Sequence, residues 1–192
     1  MLIYRLLLLL CEHSTKAQHA FICYTTYMKH RRRIAPDYIH SSFFGLEDSL
    51  VSTTGALAGI AIGAGSKEVI LMTALVIIAV ESTSMAASEF ISEETEEDIE
   101  KQKIPASPLV SGLIIFVSYV VAGILPLVPY LFLPHLQAIP VSIGLALAGL
   151  TILGIFKGKI THKSPVRSAF EVLIIGGIAA GIGLAVGLIF KV

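Results

Sequence analysis

Asp48 and Met85 lie 37 positions apart, and the polar break Gly65-Ser66-Lys67-Glu68 falls at their midpoint. On each side of the break runs an apolar stretch long enough to cross a bilayer as a helix. Folded back as a hairpin, the two helices would carry Asp48 and Met85 to one depth. Glu81 and Glu89 stand one helical turn before and after Met85, so the three share a face. Carboxylates inside a membrane are costly and commonly mark the route of an ion or a proton. Carboxylate oxygen with thioether sulfur suits a borderline transition metal better than Ca²⁺ or Mg²⁺, which favour all-oxygen sites. The expected metal ligands are therefore Asp48, Met85, Glu89 and Glu81, with Ser52, Thr53 and Thr54 adding oxygens near Asp48. Blander readings stay open: Met85 as core packing, and Asp48 as an N-terminal cap of its helix.

The acidic run Glu93, Glu94, Glu96, Glu97, Asp98 and Glu100 follows the second apolar stretch directly. Like charges at i, i+4 destabilise a helix, and acids near its C-terminus oppose its dipole. A cytosolic cation would relieve both costs, which makes these six candidates for metal capture. Neighbouring Lys101 and Lys103 would also relieve them, and both readings stand.

The elements that must position these residues come from the long apolar runs. The chain has 192 residues, 55% hydrophobic and 15% charged, with a mean hydropathy of +0.82. A soluble domain is nearer ~25% charged. Five spans are expected, near Phe44–Gly65, Val69–Phe90, Leu109–Leu133, Val141–Phe156 and Ala169–Phe190. The expected fold is thus all-α: an integral, multi-pass membrane protein of five transmembrane helices, preceded by a short surface helix. Ten of the 14 Lys and Arg lie in Lys29–Arg33, Lys101–Lys103 and Lys157–Arg167. These basic segments fall on alternate sides of five spans and place the N-terminus in the cytoplasm. Residues 1–27 fit no span and form a non-conforming extension, with Met28 a plausible functional start; a short amphipathic surface helix is the rival reading. Residues 28–43 form a basic cytoplasmic or surface segment. Residues 44–192 form the five-helix domain, with a short acidic cytoplasmic loop at 92–107.

Span one carries Gly55, Gly59 and Gly63 at four-residue spacing, and span five carries Gly177/Gly181 and Gly183/Gly187. Such stripes let helix backbones approach closely. The stripe of span one serves either a subunit contact or packing within the chain. No span contains a histidine, and no HExxH, nucleophile elbow, P-loop or GxGxxG stands at a strand-to-helix turn. Cys11 and Cys23 form no CxxC. An enzyme is not expected, nor a cofactor or a nucleic-acid partner, and any pumping would run on an ion gradient.

At these residues the chain resembles the vacuolar iron transporter family, the Fe²⁺/Mn²⁺ carriers of fungal and plant vacuoles with many prokaryotic relatives. The resemblance runs from about Tyr38 to the C-terminus. It rests on Phe44-Gly45-Leu46-Glu47-Asp48-Ser49-Leu50-Val51-Ser52-Thr53, Ser84-Met85-Ala86-Ala87-Ser88-Glu89-Phe90-Ile91-Ser92, Leu125-Pro126-Leu127-Val128-Pro129-Tyr130 and Ser164-Pro165-Val166-Arg167-Ser168-Ala169. It implies five membrane helices, a homodimer, and exchange of protons for divalent metal, with Asp48, Met85 and Glu89 as path residues. Ser49 stands where the family usually has Gly, and Glu81 where many relatives have a small residue. About a dozen residues replace the long Glu- and Met-rich insert of the plant type between spans two and three.

The expectation is a homodimeric carrier that moves Fe²⁺ and/or Mn²⁺ out of the cytoplasm by proton antiport, serving metal homeostasis. Its partners would be divalent metal ions, protons and the lipid bilayer. It would sit in the plasma membrane of a prokaryote, or the vacuolar or endomembrane system of a eukaryote. The alternative is a membrane-embedded interaction or assembly subunit that moves no ion.

Overall fold

The structure, a computed structural model, describes the backbone of residues 16–63, 66–100 and 107–190, and the side chains of 36–63, 66–99 and 107–190. Residues 1–15, the side chains of Cys23, the basic cluster 29–33 and Glu100, and the positions of Gly65, Lys101, Lys103 and Lys191 lie outside the described residues.

Every described element is helical. They are α1 (Lys16–Gly63), α2 (Lys67–Glu100), α3 (Pro108–Phe132), α4 (His135–Ile160) and α5 (Pro165–Ile189). Local sequence sets their starts. Pro108 and Pro165 occupy first-turn positions, where the fixed φ suits a helix and the missing N–H costs nothing. Ser66 accepts from the Val69 amide at 3.4 Å and so caps α2. At the α4–α5 turn His162 takes a left-handed conformation, and the Lys163 amide closes back on the Gly158 carbonyl at 2.9 Å.

Four helices, α2 to α5, are long and apolar enough to cross a membrane. The C-terminal half of α1 falls short because Glu47, Asp48 and the hydroxyls Ser52 to Thr54 dilute it. Yet α1 packs against all four others, so the least apolar span is the central one. Many outward positions are large and apolar, and several inward ones are polar. Val80, Val121 and Ile182 are 60% exposed or more, whereas Ser49, Thr53, Ser82 and Ser111 are fully buried. A water-soluble bundle would invert this pattern.

Several expected boundaries move. The segment before span one is helical, but it runs into span one as one 48-residue helix with Pro36 inside. Asp48 therefore lies deep within α1, and its reading as a cap of a helix start is excluded. The acidic residues from Glu93 to Glu100 continue α2 instead of opening a loop at 92. Span four starts earlier than Val141, at His135.

The first two spans do not form a tight hairpin. Helix α3 wedges between them, and α1 meets α2 directly over the smallest of the major contacts. Close approach shows in the glycines. A Cβ added at Gly112 of α3 would sit 2.8 Å from the Ala86 carbonyl of α2, and one at Gly45 of α1 would sit 2.9 Å from the Ile115 carbonyl of α3. The glycine stripe of α1 meets α5 of the same chain. A Cβ on Gly55 would lie 2.9 Å from the Ala179 carbonyl, and one on Gly59 2.5 Å from that of Gly183. Of the two readings of this stripe, packing within the chain is seen directly. The same two helices also line an apolar groove of about 650 Å³.

Candidate functional site

One hydrogen bond fixes the register between α1 and α2, and two pairs of acids in electrostatic range agree with it. Asp48 and Glu81 lie close enough to act on each other electrostatically. Two turns toward the acidic end of α2, Ser41 Oγ donates to Glu89 Oε1 at 2.7 Å. Another turn along, Asp37 lies within electrostatic range of Glu93. Seven residues on α1 are matched by eight on α2 in the first step, and four by four in the second. This register sets Asp48 level with Glu81 and puts Met85 opposite Gly45, about one turn, ~5 Å, nearer the acidic end. The equal depth expected of Asp48 and Met85 is off by that turn. The cause is α3, which holds the two helices apart, so the short connection does not act as a symmetric turn.

The result is an oxygen-lined seam. From α1 it receives Asp37, Ser41, Asp48 and Ser52; from α2, Glu81, Glu89 and Glu93, with Met85 on the same helix face between Glu81 and Glu89; from α3, Ser111 and Tyr119. Tyr119 is fully buried, and its hydroxyl pairs with Ser52 Oγ at 2.7 Å. It lies within electrostatic range of both Asp48 and Glu81. Ser49 Oγ donates to the Tyr119 carbonyl at 2.7 Å, so the serine in place of the family's usual glycine ties α1 to α3. Thr53 and Thr54 are buried; the Thr53 hydroxyl lies within reach of that of Tyr119, and the Thr54 hydroxyl has no hydrogen-bond partner among the described residues. Beyond them the seam ends in an apolar cluster that includes Leu57, Ala61, Ile70, Ala74 and Leu127.

Charge is unevenly compensated. Glu47 is paired with Lys157 of α4 at 3.4 Å. Among the described residues, the charges acting on Asp48, its chain neighbour, are Glu81 and Glu47, both of like sign. Glu81 is exposed on the single chain, whereas Met85 and Glu89 are half-buried. Ser84 and Ser88 are exposed beside them. Among the described residues no three acids, histidines or cysteines converge on a point that could hold a metal. The chain thus brings Asp48 to Glu81 and Glu89 to Ser41, but does not close the predicted ligands into one cage. Of the acidic run, Glu93 and Glu97 are half-buried, while Glu94, Glu96 and Asp98 face outward.

Sequence reading missed Ser41, Ser111, Tyr119 and Lys157. A signal existed for three. Ser41 lies seven residues before Asp48, on its face of α1, and Ser111 and Tyr119 recur at eight-residue spacing in an otherwise apolar span. Lys157 gave none, because pairing of α4 with α1 cannot be read from either helix alone.

Comparison with known proteins matches this frame. The family model described as "VIT family" matches residues 39–107 and 100–188. "Vacuolar iron transporter 1" of Arabidopsis thaliana is 42% identical over 77 residues, 40% of this chain and 31% of that protein. "Vacuolar iron transporter" of Centaurea cyanus is 42% identical over 86 residues, 43% of this chain and 35% of that protein. "Vacuolar iron transporter homolog 4" of Arabidopsis thaliana is 28% identical over 156 residues, 73% of this chain and 77% of that protein. The chain spans about a third of the length of the first two relatives.

Proposed function

The chain belongs to the VIT family, and on that premise we propose that it is a homodimeric carrier for Fe²⁺ and/or Mn²⁺. It moves metal from the cytoplasm outward, or into a compartment, in exchange for protons. The observation that carries this reading is the Asp48–Glu81 pair: two carboxylates at one level of a membrane bundle, with only like charge acting on Asp48 among the described residues. In a low dielectric such a pair repels strongly and calls for a cation or a proton. A divalent metal neutralises both at once, and a proton from the far side can replace it. Alternating exposure of the same carboxylates then couples metal leaving the cytoplasm to protons entering it.

Met85 sits one turn toward the acidic end and supplies a soft sulfur on the way in. That favours Fe²⁺ and Mn²⁺ over Mg²⁺ and Ca²⁺. Glu89, held by Ser41, stands next in line. The family match supports this assignment for Asp48, Met85 and Glu89, and geometry alone supports Glu81. The polar strip of Glu81, Ser84 and Ser88 is open on the single chain. A second copy facing it would complete the ligand set that one chain leaves open. The basic segments support a cytoplasmic N-terminus, which places the acidic end of α2 at the cytoplasmic mouth.

The test is uptake of Fe²⁺ or Mn²⁺ into proteoliposomes under an imposed pH gradient. Metal should accumulate against its own gradient only when protons can flow the other way. Absence of flux from well-inserted protein under gradients of either sign would overturn the proposal.

A further inference from the structure

Glu93 differs from the outward-facing members of the acidic run. Glu94, Glu96 and Asp98 are exposed, but Glu93 turns toward α3, and its Oε2 is buried without a hydrogen-bond partner. Opposite stands Ser111, fully buried and within hydrogen-bonding reach of Glu93, though its Oγ is aligned for a bond with no described atom. The two side chains face each other, and Glu89, Asp37 and Glu96 all lie within electrostatic range of Glu93. An inward carboxylate ringed by carboxylates raises the cost of its own charge. A neighbouring hydroxyl can satisfy one oxygen, but it leaves the accumulated negative charge uncompensated. A divalent cation removes both costs.

We infer that Glu93 and Ser111 form an outer divalent-cation site at the mouth of the seam. Glu93 Oε2 and Ser111 Oγ are its direct ligands. Glu89 and Asp37 act on the ion through water, since no three carboxylates among the described residues converge on a single point. Every donor is oxygen, so the site takes hard and borderline hydrated cations alike, Mg²⁺ as well as Mn²⁺. Two turns deeper on α2, ~12 Å along the axis, Met85 brings the first sulfur. Capture and discrimination are therefore separated along one helix. The inference rests on the proposed handling of divalent metal, but it concerns equilibrium binding and needs no flux.

The experiment titrates Mn²⁺ into the purified full-length chain in detergent and measures free Mn²⁺ by electron paramagnetic resonance. An Asp48→Asn background removes the inner site from the count. On that background Mn²⁺ should still bind, and millimolar Mg²⁺ should displace it. Glu93→Gln should abolish this binding, and Ser111→Ala should weaken it by about tenfold. Glu94→Gln, one residue away and outward-facing, should leave it unchanged. Unaltered binding in Glu93→Gln would overturn the site. Equal loss in Glu93→Gln and Glu94→Gln would also overturn it, by showing diffuse surface charge. Ser111→Ala keeps every charge and decides the matter if Glu93→Gln fails to fold: unweakened binding there overturns the site. Glu93-dependent binding without any flux in vesicles would retain the outer site and sink the carrier reading.

Discussion

Glu47 and Asp48 are chain neighbours with different surroundings. Glu47 reaches Lys157, a pair with side chains 23% and 45% exposed, and exposed pairs contribute only ~0–1 kcal/mol. Asp48 has no cation acting on it among the described residues and lies level with Glu81. Glu47→Gln should therefore cost under about 1 kcal/mol of stability and leave metal uptake near wild type. Asp48→Asn keeps the shape but removes the charge, and uptake should vanish while the protein stays folded. Full uptake by a folded Asp48→Asn protein would exclude the seam as the route. Tyr119 permits a finer test. Tyr119→Phe keeps the ring that α1 packs against and deletes only the hydroxyl that pairs with Ser52. One lost hydrogen bond costs about 1 kcal/mol of stability. If the hydroxyl orients oxygens beside Asp48, initial rates of Mn²⁺ uptake should fall about tenfold with the fold intact, as for groups that orient metal ligands. A folded Tyr119→Phe protein with unchanged rates would take the hydroxyl cluster out of the path.

Helices α1 and α5 meet backbone to backbone, so the glycine stripe bears on fold stability before it bears on assembly. Leucine at Gly59 would drive its side chain into the Gly183 carbonyl, since even a Cβ would stand 2.5 Å from it. Gly59→Leu should cost ~1–3 kcal/mol, read as a lower melting temperature in detergent. Gly181→Leu, where an added Cβ meets nothing within 4 Å, should be nearly neutral. Equal melting of both variants would mean that α1 and α5 do not pack as described. This stripe also shows what the sequence could and could not disclose. The five spans were legible because each is a long apolar run bounded by charge, Pro or Gly. The face of α2 with Glu81, Met85 and Glu89 was legible from four-residue spacing. Partners were not: a GxxxG pattern states that something approaches closely, not which helix. The α1–α2 register was misjudged by a turn because nothing in either helix reports that α3 stands between them. The continuity of α1 was hidden by its basic, polar first half, which composition assigns to a surface and periodicity cannot separate from the apolar span after it.

The whole molecule presents an inconsistency that a second copy would resolve. Nearly all its outward positions suit lipid, for example Met72, Leu75 and Val117, each 56% exposed or more. Between them α2 shows Glu81, Ser84 and Ser88. Leaving one acid in hydrocarbon costs roughly 2.5–3.5 kcal/mol even on the more lenient scales. Closed two-fold pairing is the commonest solution, because one patch then covers its own copy. It would also face the Asp48–Glu81 level of one chain with that of the other and supply the ligands one chain lacks. Single cysteines locate the contact once Cys11 and Cys23 are replaced by Ser. Ser84→Cys and Ser88→Cys should each give a disulfide-linked dimer on mild oxidation in membranes. Ile178→Cys on α5, where the wild-type side chain is 58% exposed, should not. Added Mn²⁺ should alter the rate at Ser84→Cys if metal sits between the copies, and leave Ile178→Cys unaffected. Cross-linking through Ile178→Cys with none through Ser84→Cys or Ser88→Cys would move the interface to α5. The polar strip of α2 would then have to border a water-filled cavity within a single chain, with water, not a partner, completing the coordination of the ion.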